Sequence, residues 1–128
     1  FFVAGSNAAW AHPIIWRRIE ANKAKNPAAK IIVVDPRRTQ TAAVADLHLQ
    51  LNPGTDIVLY NAIGRVLIEN NWIDADFIQN HTDGYEAYRN QVFQRTVENA
   101  AAVCGLNPDA IVLAARYLHE SRGFLSLW

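Results

Sequence analysis

The chain has 128 residues, of which 51% are hydrophobic, and its 12 basic side chains balance 12 acidic ones. This length predicts one domain with a substantial core, and the neutral balance excludes a broad charged surface for nucleic acid or an anionic membrane. The single cysteine, Cys104, excludes internal disulfides and cysteine-based zinc or iron–sulfur sites within the chain. No uncharged run approaches the roughly 20 residues that a membrane-spanning helix needs.

Four apolar segments, each stopped by turn residues, predict the strands of a sheet. The run from Ile31 to Val34 is β-branched without alternation, as in a strand buried on both faces. Leu47, Leu49 and Leu51 alternate with polar residues, which indicates a half-exposed strand near a sheet edge. We expect strands over residues 1–4, 31–34, 47–51 and 124–128.

Two longer helices are predicted in the first part of the chain. One starts between residues 9 and 12, has Pro13 in its first turn and ends at Asn26. The other is capped by Thr55 or Asp56, runs to about Asn70 and is apolar nearly all round. The buried face of the first helix is expected to contain Ile15, Trp16 and Ile19.

The later residues also predict helices. Short helices fill residues 74–104, and a last helix opens at Asn107 with Pro108 and Asp109 in the favoured order and ends at Gly123. The expected caps of the short helices are Asp74, Asp83 and Thr96, with Gly105 as a C-terminal stop.

The order of strand, helix, strand, strand, helices and strand predicts an α/β fold. Helical crossovers imply parallel neighbouring strands, and right-handed crossovers place the first strand centrally. We therefore expect a Rossmann-like three-layer domain with a mostly parallel sheet in the order 3-2-1-4. A helical segment around residues 74–104 is added to it.

Three loops leave the carboxyl ends of the predicted strands, where ligands bind in such sheets. We name them loop 1 (residues 5–7), loop 2 (residues 35–39) and loop 3 (residues 53–56). Because these strand ends share one edge, the loops are expected to meet at a single rim. No catalytic or metal-ligating residue is expected. The candidate cofactor-binding residues are Gly5, Ser6, Asn7, Asp35, Arg37, Arg38, Thr39, Gly54, Thr55 and Asp56.

Loops 1 and 2 each have a binding interpretation and a structural one. Gly5 lets the backbone approach a phosphate, or it only turns the chain from strand to helix. Asp35 occupies the position where dinucleotide-binding folds accept ribose hydroxyls, or it opens a turn ahead of Pro36. Arg37 and Arg38 can clamp phosphates or stack on a base, or they are solvated surface side chains.

Loop 3 presents a competition between capping and binding. As a helix cap, Asp56 turns its carboxylate to the backbone. If Thr55 caps the helix, the Asp56 carboxylate is free to accept two hydrogen bonds from a guanine edge. The sequence leaves these two alternatives open.

Other familiar sites are disfavoured by the motifs. A nicotinamide site needs G-x-G-x-x-G, and "AGSNAAWA" has a single glycine. No serine lies in a nucleophile-elbow context, and Cys104 within an alanine-rich helix is typical of a small core residue.

The motifs "GSNAAWAHP", "VVDPRRTQTAAVADLHLQLNPGTD" and the final "FLSLW" together resemble the nucleotide-binding domain of prokaryotic molybdopterin oxidoreductases. The resemblance covers essentially the whole chain, with the motifs in family order and spacing. Within the family it is most similar to nitrate reductases of the assimilatory type. Formate dehydrogenases share enough of these motifs to be close alternatives.

The resemblance implies a molybdenum bis(molybdopterin guanine dinucleotide) cofactor. By resemblance, Gly5, Ser6 and Asn7 wrap its phosphates, loop 2 surrounds the guanosine, and loop 3 closes on the base. The residues of a four-iron four-sulfur cluster and the molybdenum ligand are implied outside this chain.

The resemblance also implies that residues 1–128 are a single domain cut from a longer, cytoplasmic enzyme that reduces nitrate to nitrite. The expected partners are the remaining domains and an electron donor, with no nucleic acid and no membrane span. The fragment alone is expected to be inactive. Two further hypotheses stay open, a nucleotide-binding module without redox function and a fragment that self-associates through its strand ends.

Overall fold

Four short strands form one all-parallel sheet: β1 (Phe2–Ala4), β2 (Ile32–Val34), β3 (Leu47–Leu49) and β4 (Ser126–Leu127). The computed structural model describes all residues from 1 to 128. Its strand order is β3-β2-β1-β4, with every neighbouring pair parallel. This confirms the predicted α/β class and the order 3-2-1-4, with β1 central and β3 at an edge.

Eight helices connect or follow these strands. Two of them are short: α1 (Ala8–Ala11) follows β1 and loop 1, and α3 (Gln40–Ala43) follows β2 and loop 2. None of the eight combines the length and the apolar character needed to cross a bilayer. The others are α2 (Pro13–Lys25), α4 (Asp56–Glu69), α5 (Ala75–His81), α6 (Tyr85–Val92), α7 (Val97–Cys104) and α8 (Pro108–Glu120).

The chain divides into two compact units, and the first consists of Phe1–Pro53 and Glu120–Trp128. It holds the whole sheet. Trp16 and Ile19 of α2 are buried, and burying side chains of this size contributes about 1.5–3 kcal/mol each. The core cluster of this unit consists of Val3, Ala8, Trp16, Ile19, Ile31, Val33 and Ala42.

The second unit, Gly54–His119, is entirely helical. Within it, α4 packs against α6 and α7, and the added helical segment predicted around residues 74–104 is present as α5 to α7. Cys104 is a fully buried core residue, as predicted. The other buried side chains include Leu59, Ala62, Ile63, Val66, Ala100, Ala101, Ile111, Ala114 and Ala115.

Most predicted helix boundaries are confirmed. Pro13 is the first residue of α2, and Asn26 follows its last residue. The side chains of Asp74 and Thr96 accept hydrogen bonds from the N–H groups of Phe77 and Asn99. Gly105 ends α7 with a left-handed backbone.

Two predicted helix boundaries are wrong. The helix expected to start between residues 9 and 12 is divided into α1 and α2, with His12 between them. The last helix ends at Glu120 and not at Gly123.

Two further details of the helices differ from the sequence prediction. Asp83 does not cap α6, because the capping position is taken by Gly84, whose φ of 77° suits glycine. Ile15 remains 42% exposed although Trp16 is only 4% exposed. Helical spacing places Ile15 beside the buried face, but no neighbouring element covers it.

Candidate functional site

Loops 1 and 2 leave the sheet side by side. Ala4 and Val34, the last residues of β1 and β2, are register partners. The N–H of Gly5 donates to the carbonyl of Val34 at 2.8 Å, which extends the strand pairing into loop 1. The prediction that these two loops share the carboxyl edge of the sheet is therefore confirmed.

Loop 1 presents backbone donors to its surroundings. Gly5 is exposed and has a φ of 61°, a conformation that other residues adopt only with strain. The backbone N–H groups of Ser6 and Asn7 make no hydrogen bond within the chain. The Asn7 carbonyl accepts the N–H groups of Trp10 and Ala11, both at 2.9 Å, and so starts α1.

Loop 2 is organised around the carboxylate of Asp35, which is fully buried. Its Oδ1 accepts the backbone N–H of Arg37 at 2.8 Å, which closes a tight turn over Pro36. The guanidinium of Arg37 returns to the same carboxylate, with Nε at 3.2 Å from Oδ1 and Nη2 at 3.2 Å from Oδ2. In this structure Asp35 therefore opens the turn and holds the Arg37 side chain in one orientation.

The paired charges of loop 2 shift each other's pKa. Burial raises the pKa of Asp35, but hydrogen bonds from the Arg37 side chain and backbone and the charges of Arg37 and His48 outweigh it. The net pKa of Asp35 is below its ordinary value. The hydrogen bond and the charge of Asp35 in turn raise the pKa of Arg37. Both groups are therefore ionised at neutral pH.

Arg37 keeps hydrogen-bonding capacity after this pairing. A guanidinium carries five N–H groups, of which Asp35 takes two, and the Arg37 side chain is 70% exposed. Arg38 is exposed and makes no hydrogen bond or ion pair within the chain. Thr39 caps α3, where its Oγ1 accepts the N–H of Ala42 at 3.2 Å. The rim formed by loops 1 and 2 is therefore rich in donors, which suits an anionic ligand.

Three polar side chains that support these loops were missed from the sequence. His48 Nε2 lies 2.8 Å from the carbonyl of Asp35, and Gln50 Nε2 donates to the carbonyl of Pro36 at 3.0 Å. Both alternate with leucines in and after β3, and this alternation could have indicated that their side chains lie on the opposite face of the strand from the leucines. The third is Thr41, a fully buried polar residue of α3. Its surroundings in the sequence gave no sign of burial.

Loop 3 lies in the second unit from Gly54 onward. Gly54 is exposed with a φ of 80°. Thr55 occupies the capping position of α4 without a capping hydrogen bond from its side chain, and its carbonyl accepts the thiol of Cys104 at 3.6 Å. Asp56 is the exposed first residue of α4, and its side chain makes no hydrogen bond within the chain. Its carboxylate is therefore free for a ligand.

Comparison with known proteins places the chain in a family. The family model described as molybdopterin oxidoreductase matches residues 1–124. A nitrate reductase of Synechocystis sp. is 43% identical over 127 residues, which are 99% of this chain and 18% of that protein. The F420-dependent formate dehydrogenase 1 subunit alpha of Methanococcus maripaludis is 47% identical over 115 residues, 90% of this chain and 17% of the relative.

A solved structure shows the same fold. Acetylene hydratase from Pelobacter acetylenicus matches with a TM-score of 0.85 and 28% identity, over 99% of this chain and 17% of that one. The chain thus spans less than a fifth of the length of the proteins it resembles. Nitrate reductases and formate dehydrogenases are oxidoreductases. With the family model covering nearly all its residues, this chain belongs to the molybdopterin oxidoreductase family.

Proposed function

We propose that this chain holds the guanosine diphosphate end of a molybdopterin guanine dinucleotide, as part of a longer oxidoreductase. The observation that carries the proposal is the Asp35–Arg37 pair. A fully buried carboxylate fixes the guanidinium, and the guanidinium keeps unused donors at an exposed rim. Membership of the molybdopterin oxidoreductase family supports the pterin part of the proposal.

The chemistry of the rim fits a diphosphate. Loop 1 offers the backbone N–H groups of Ser6 and Asn7, and no atom lies within 4 Å of the position a Cβ would take at Gly5. Loop 2 adds the guanidinium groups of Arg37 and Arg38. Apart from the Asp35 carboxylate, which is already paired, loops 1 and 2 contain no acidic side chain. In this proposal loop 1 and the two arginines hold the phosphates, and Asp35 and Thr39 shape the turn beside the ribose.

For the base, we propose Asp56 as the recognition group. A guanine edge carries adjacent N–H donors, and a carboxylate accepts two of them side by side. The Asp56 carboxylate is exposed and has no hydrogen-bond partner in the chain, which supports this role. Gly54 and Thr55 supply the turn that leads into α4.

The residues of this chain bind and orient, and they do not react. When bound, the molybdopterin cofactor supplies the electron-transfer chemistry at its metal. We propose that the complete protein is a cytoplasmic enzyme that reduces nitrate to nitrite, drawing electrons from a donor protein or domain through a four-iron four-sulfur cluster outside this chain. The isolated chain is expected to have no activity.

Formate oxidation is the second candidate, favoured by the 47% identity to a formate dehydrogenase subunit. The complete protein separates the two. With a reduced viologen dye, a nitrate reductase consumes nitrate and oxidises the dye. With formate and an oxidised dye, a formate dehydrogenase reduces it. Nitrate-dependent dye oxidation alone supports the first candidate, and formate-dependent dye reduction alone would replace it by the second.

Nucleotide binding tests the role of this chain directly. Isothermal titration of the 128-residue chain should give tighter binding of GDP than of guanosine or ADP. The variant Asp56→Asn should lose most of the preference for GDP over ADP, because an amide has a donor NH2 group in place of the second acceptor oxygen that faces the guanine edge. Equal affinity of the wild-type chain for GDP and ADP would contradict the Asp56 assignment. Failure to bind GDP at all would overturn the proposed function.

A further inference from the structure

The helices that follow loops 1 and 2 are joined by one buried hydroxyl. Thr41 lies in α3, beyond loop 2, and is fully buried. Its Oγ1 accepts the backbone N–H of Ala9 in α1 at 2.9 Å. The same hydroxyl donates to Oδ1 of Asn7 in loop 1, also at 2.9 Å. A single side chain therefore connects the two halves of the donor-rich rim.

The hydrogen-bond inventory of this hydroxyl fixes the orientation of Asn7. A threonine hydroxyl has one proton, which needs an acceptor when it is buried. The N–H of Ala9 is a donor, so only an oxygen of Asn7 can receive that proton. Asn7 must therefore turn Oδ1 towards Thr41, which leaves its Nδ2 amide as a further donor of loop 1.

A second, exposed link joins the same two helices. The indole Nε1 of Trp10 in α1 donates to Oε1 of Gln40 in α3. Trp10 is 73% exposed, so this hydrogen bond competes with water and contributes little on its own. The buried hydroxyl of Thr41 is the link that sets the geometry.

We propose that Thr41 is a positioning residue for the anion-binding rim. It fixes the spacing between loop 1 and loop 2 and turns the Asn7 side chain so that its Nδ2 donor, and not its oxygen, faces away from Thr41. The donors of loop 1 and the free N–H groups of Arg37 then address one diphosphate together. This inference rests on the proposed function, because it concerns the same site.

Thr41→Val is the direct test, since valine keeps the shape and removes the hydroxyl. We expect the dissociation constant for GDP to rise about tenfold, the typical effect of losing hydrogen bonds around an ionic contact. Thr41→Ser keeps the hydroxyl and should bind GDP within about twofold of the wild type. Thr96→Val is the matched control, because it removes a helix-capping hydroxyl in the second unit and should leave GDP affinity unchanged.

Two readouts separate positioning from general destabilisation. In nuclear magnetic resonance spectra of the ligand-free chain, Thr41→Val should shift the Ala9 backbone amide and the Asn7 side-chain amide, whereas Thr96→Val should shift neither. Asn7→Asp keeps an acceptor for Thr41 but replaces the outward donor by a negative oxygen. It should retain the fold and weaken GDP binding, which keeps the proposal testable even if Thr41→Val does not fold.

The outcomes distinguish this inference from the proposed function. Wild-type affinity for GDP in Thr41→Val or in Asn7→Asp would overturn the positioning role while leaving the binding function in place. Unchanged Ala9 and Asn7 signals in Thr41→Val would overturn the link itself. Failure of the wild-type chain to bind GDP would overturn the proposed function and the positioning role with it.

Discussion

The amino and carboxyl edges of the sheet in the first unit each carry an aspartate paired with a cation, yet they differ in how many N–H donors of the cation remain unused. At the amino ends of the strands, Asp46 accepts Lys23 Nζ at 2.7 Å and the backbone N–H of Ile31 at 2.8 Å. Lys23 also donates to the carbonyls of Pro27 and Ala29. All three N–H groups of this ammonium are therefore used within the protein.

At the carboxyl ends, the pair formed by Asp35 and Arg37 is satisfied on one side only. The carboxylate is fully buried and fully paired, but the guanidinium spends two of its five N–H groups on it. The amino edge is thus a closed structural cluster, and the carboxyl edge is a cluster with donors to spare. The carboxyl edge therefore has donors available to a ligand, whereas the ammonium at the amino edge has none.

Asp35→Asn should have the largest effect, because it disturbs both the fold and the rim. The amide nitrogen would face the Nη2 donor of Arg37, and the buried charge that holds the guanidinium would be lost. We expect a loss of about 2–3 kcal/mol in the free energy of unfolding, measured by urea titration, together with weaker GDP binding. Unchanged GDP affinity in a folded Asp35→Asn variant would show that Arg37 does not need this anchor.

Asp46→Asn should cost less and should affect stability alone. Its carboxylate is 19% exposed and Lys23 can partly return to water, so we expect a loss of about 1–2 kcal/mol in the free energy of unfolding. GDP affinity should not change, because this cluster lies at the opposite edge of the sheet. A change in GDP affinity would contradict the division of the two edges into structural and binding clusters.

Lowering the pH should reduce the stability contributed by the aspartate–cation pairs at both edges. At Asp46, burial raises the pKa, but hydrogen bonds from Lys23 and Ile31 and the charges of Lys23 and Lys30 outweigh this effect, so the net pKa is below its ordinary value. Arg37 lowers the pKa of Asp35 in the same way. Because both folded pKa values are depressed, this stability is fully present above the unfolded value of about 3.9. It is lost as the pH falls through the folded values.

The measurement is the urea midpoint between neutral pH and pH 3, compared with that of the double variant Asp35→Asn, Asp46→Asn. The double variant should show the flatter acid limb, since its amides do not titrate. An acid limb as steep as that of the wild type would assign the acid sensitivity to other carboxylates.

The placement of loops 1 and 2 could be predicted from the sequence, because it follows from general rules. The buried run ending at Val34 and the glycine after Ala4 mark strand ends, and right-handed crossovers bring parallel strand ends to one edge. Cap residues such as Asp74 and Thr96 were also predictable, since a cap depends only on residues close to it in sequence. Features that follow from general rules or from neighbouring residues could therefore be predicted.

The hydrogen-bond partners inside the site could not be predicted, because they depend on contacts distant in sequence. Thr41 has the same local sequence whether it is exposed or buried, and only its contacts with Asn7 and Ala9 decide its role. The exposure of Ile15 has the same origin, since it depends on which elements reach α2. Whether Asp35 faced a ligand or its own loop was likewise open until the position of Arg37 was known.

The smallest predicted effect on stability and the sharpest test of the comparison come from Arg37→Lys. Lysine keeps a positive charge beside Asp35, so the free energy of unfolding should stay nearly unchanged, but it lacks the planar fork that holds the carboxylate and a second anion at once. We expect the dissociation constant for GDP to rise about five- to tenfold. Lys23→Arg, at the amino edge, is the converse control and should leave GDP binding unaltered. If Arg37→Lys bound GDP as the wild type does, the proposal that the spare donors of the guanidinium bind the ligand would be wrong.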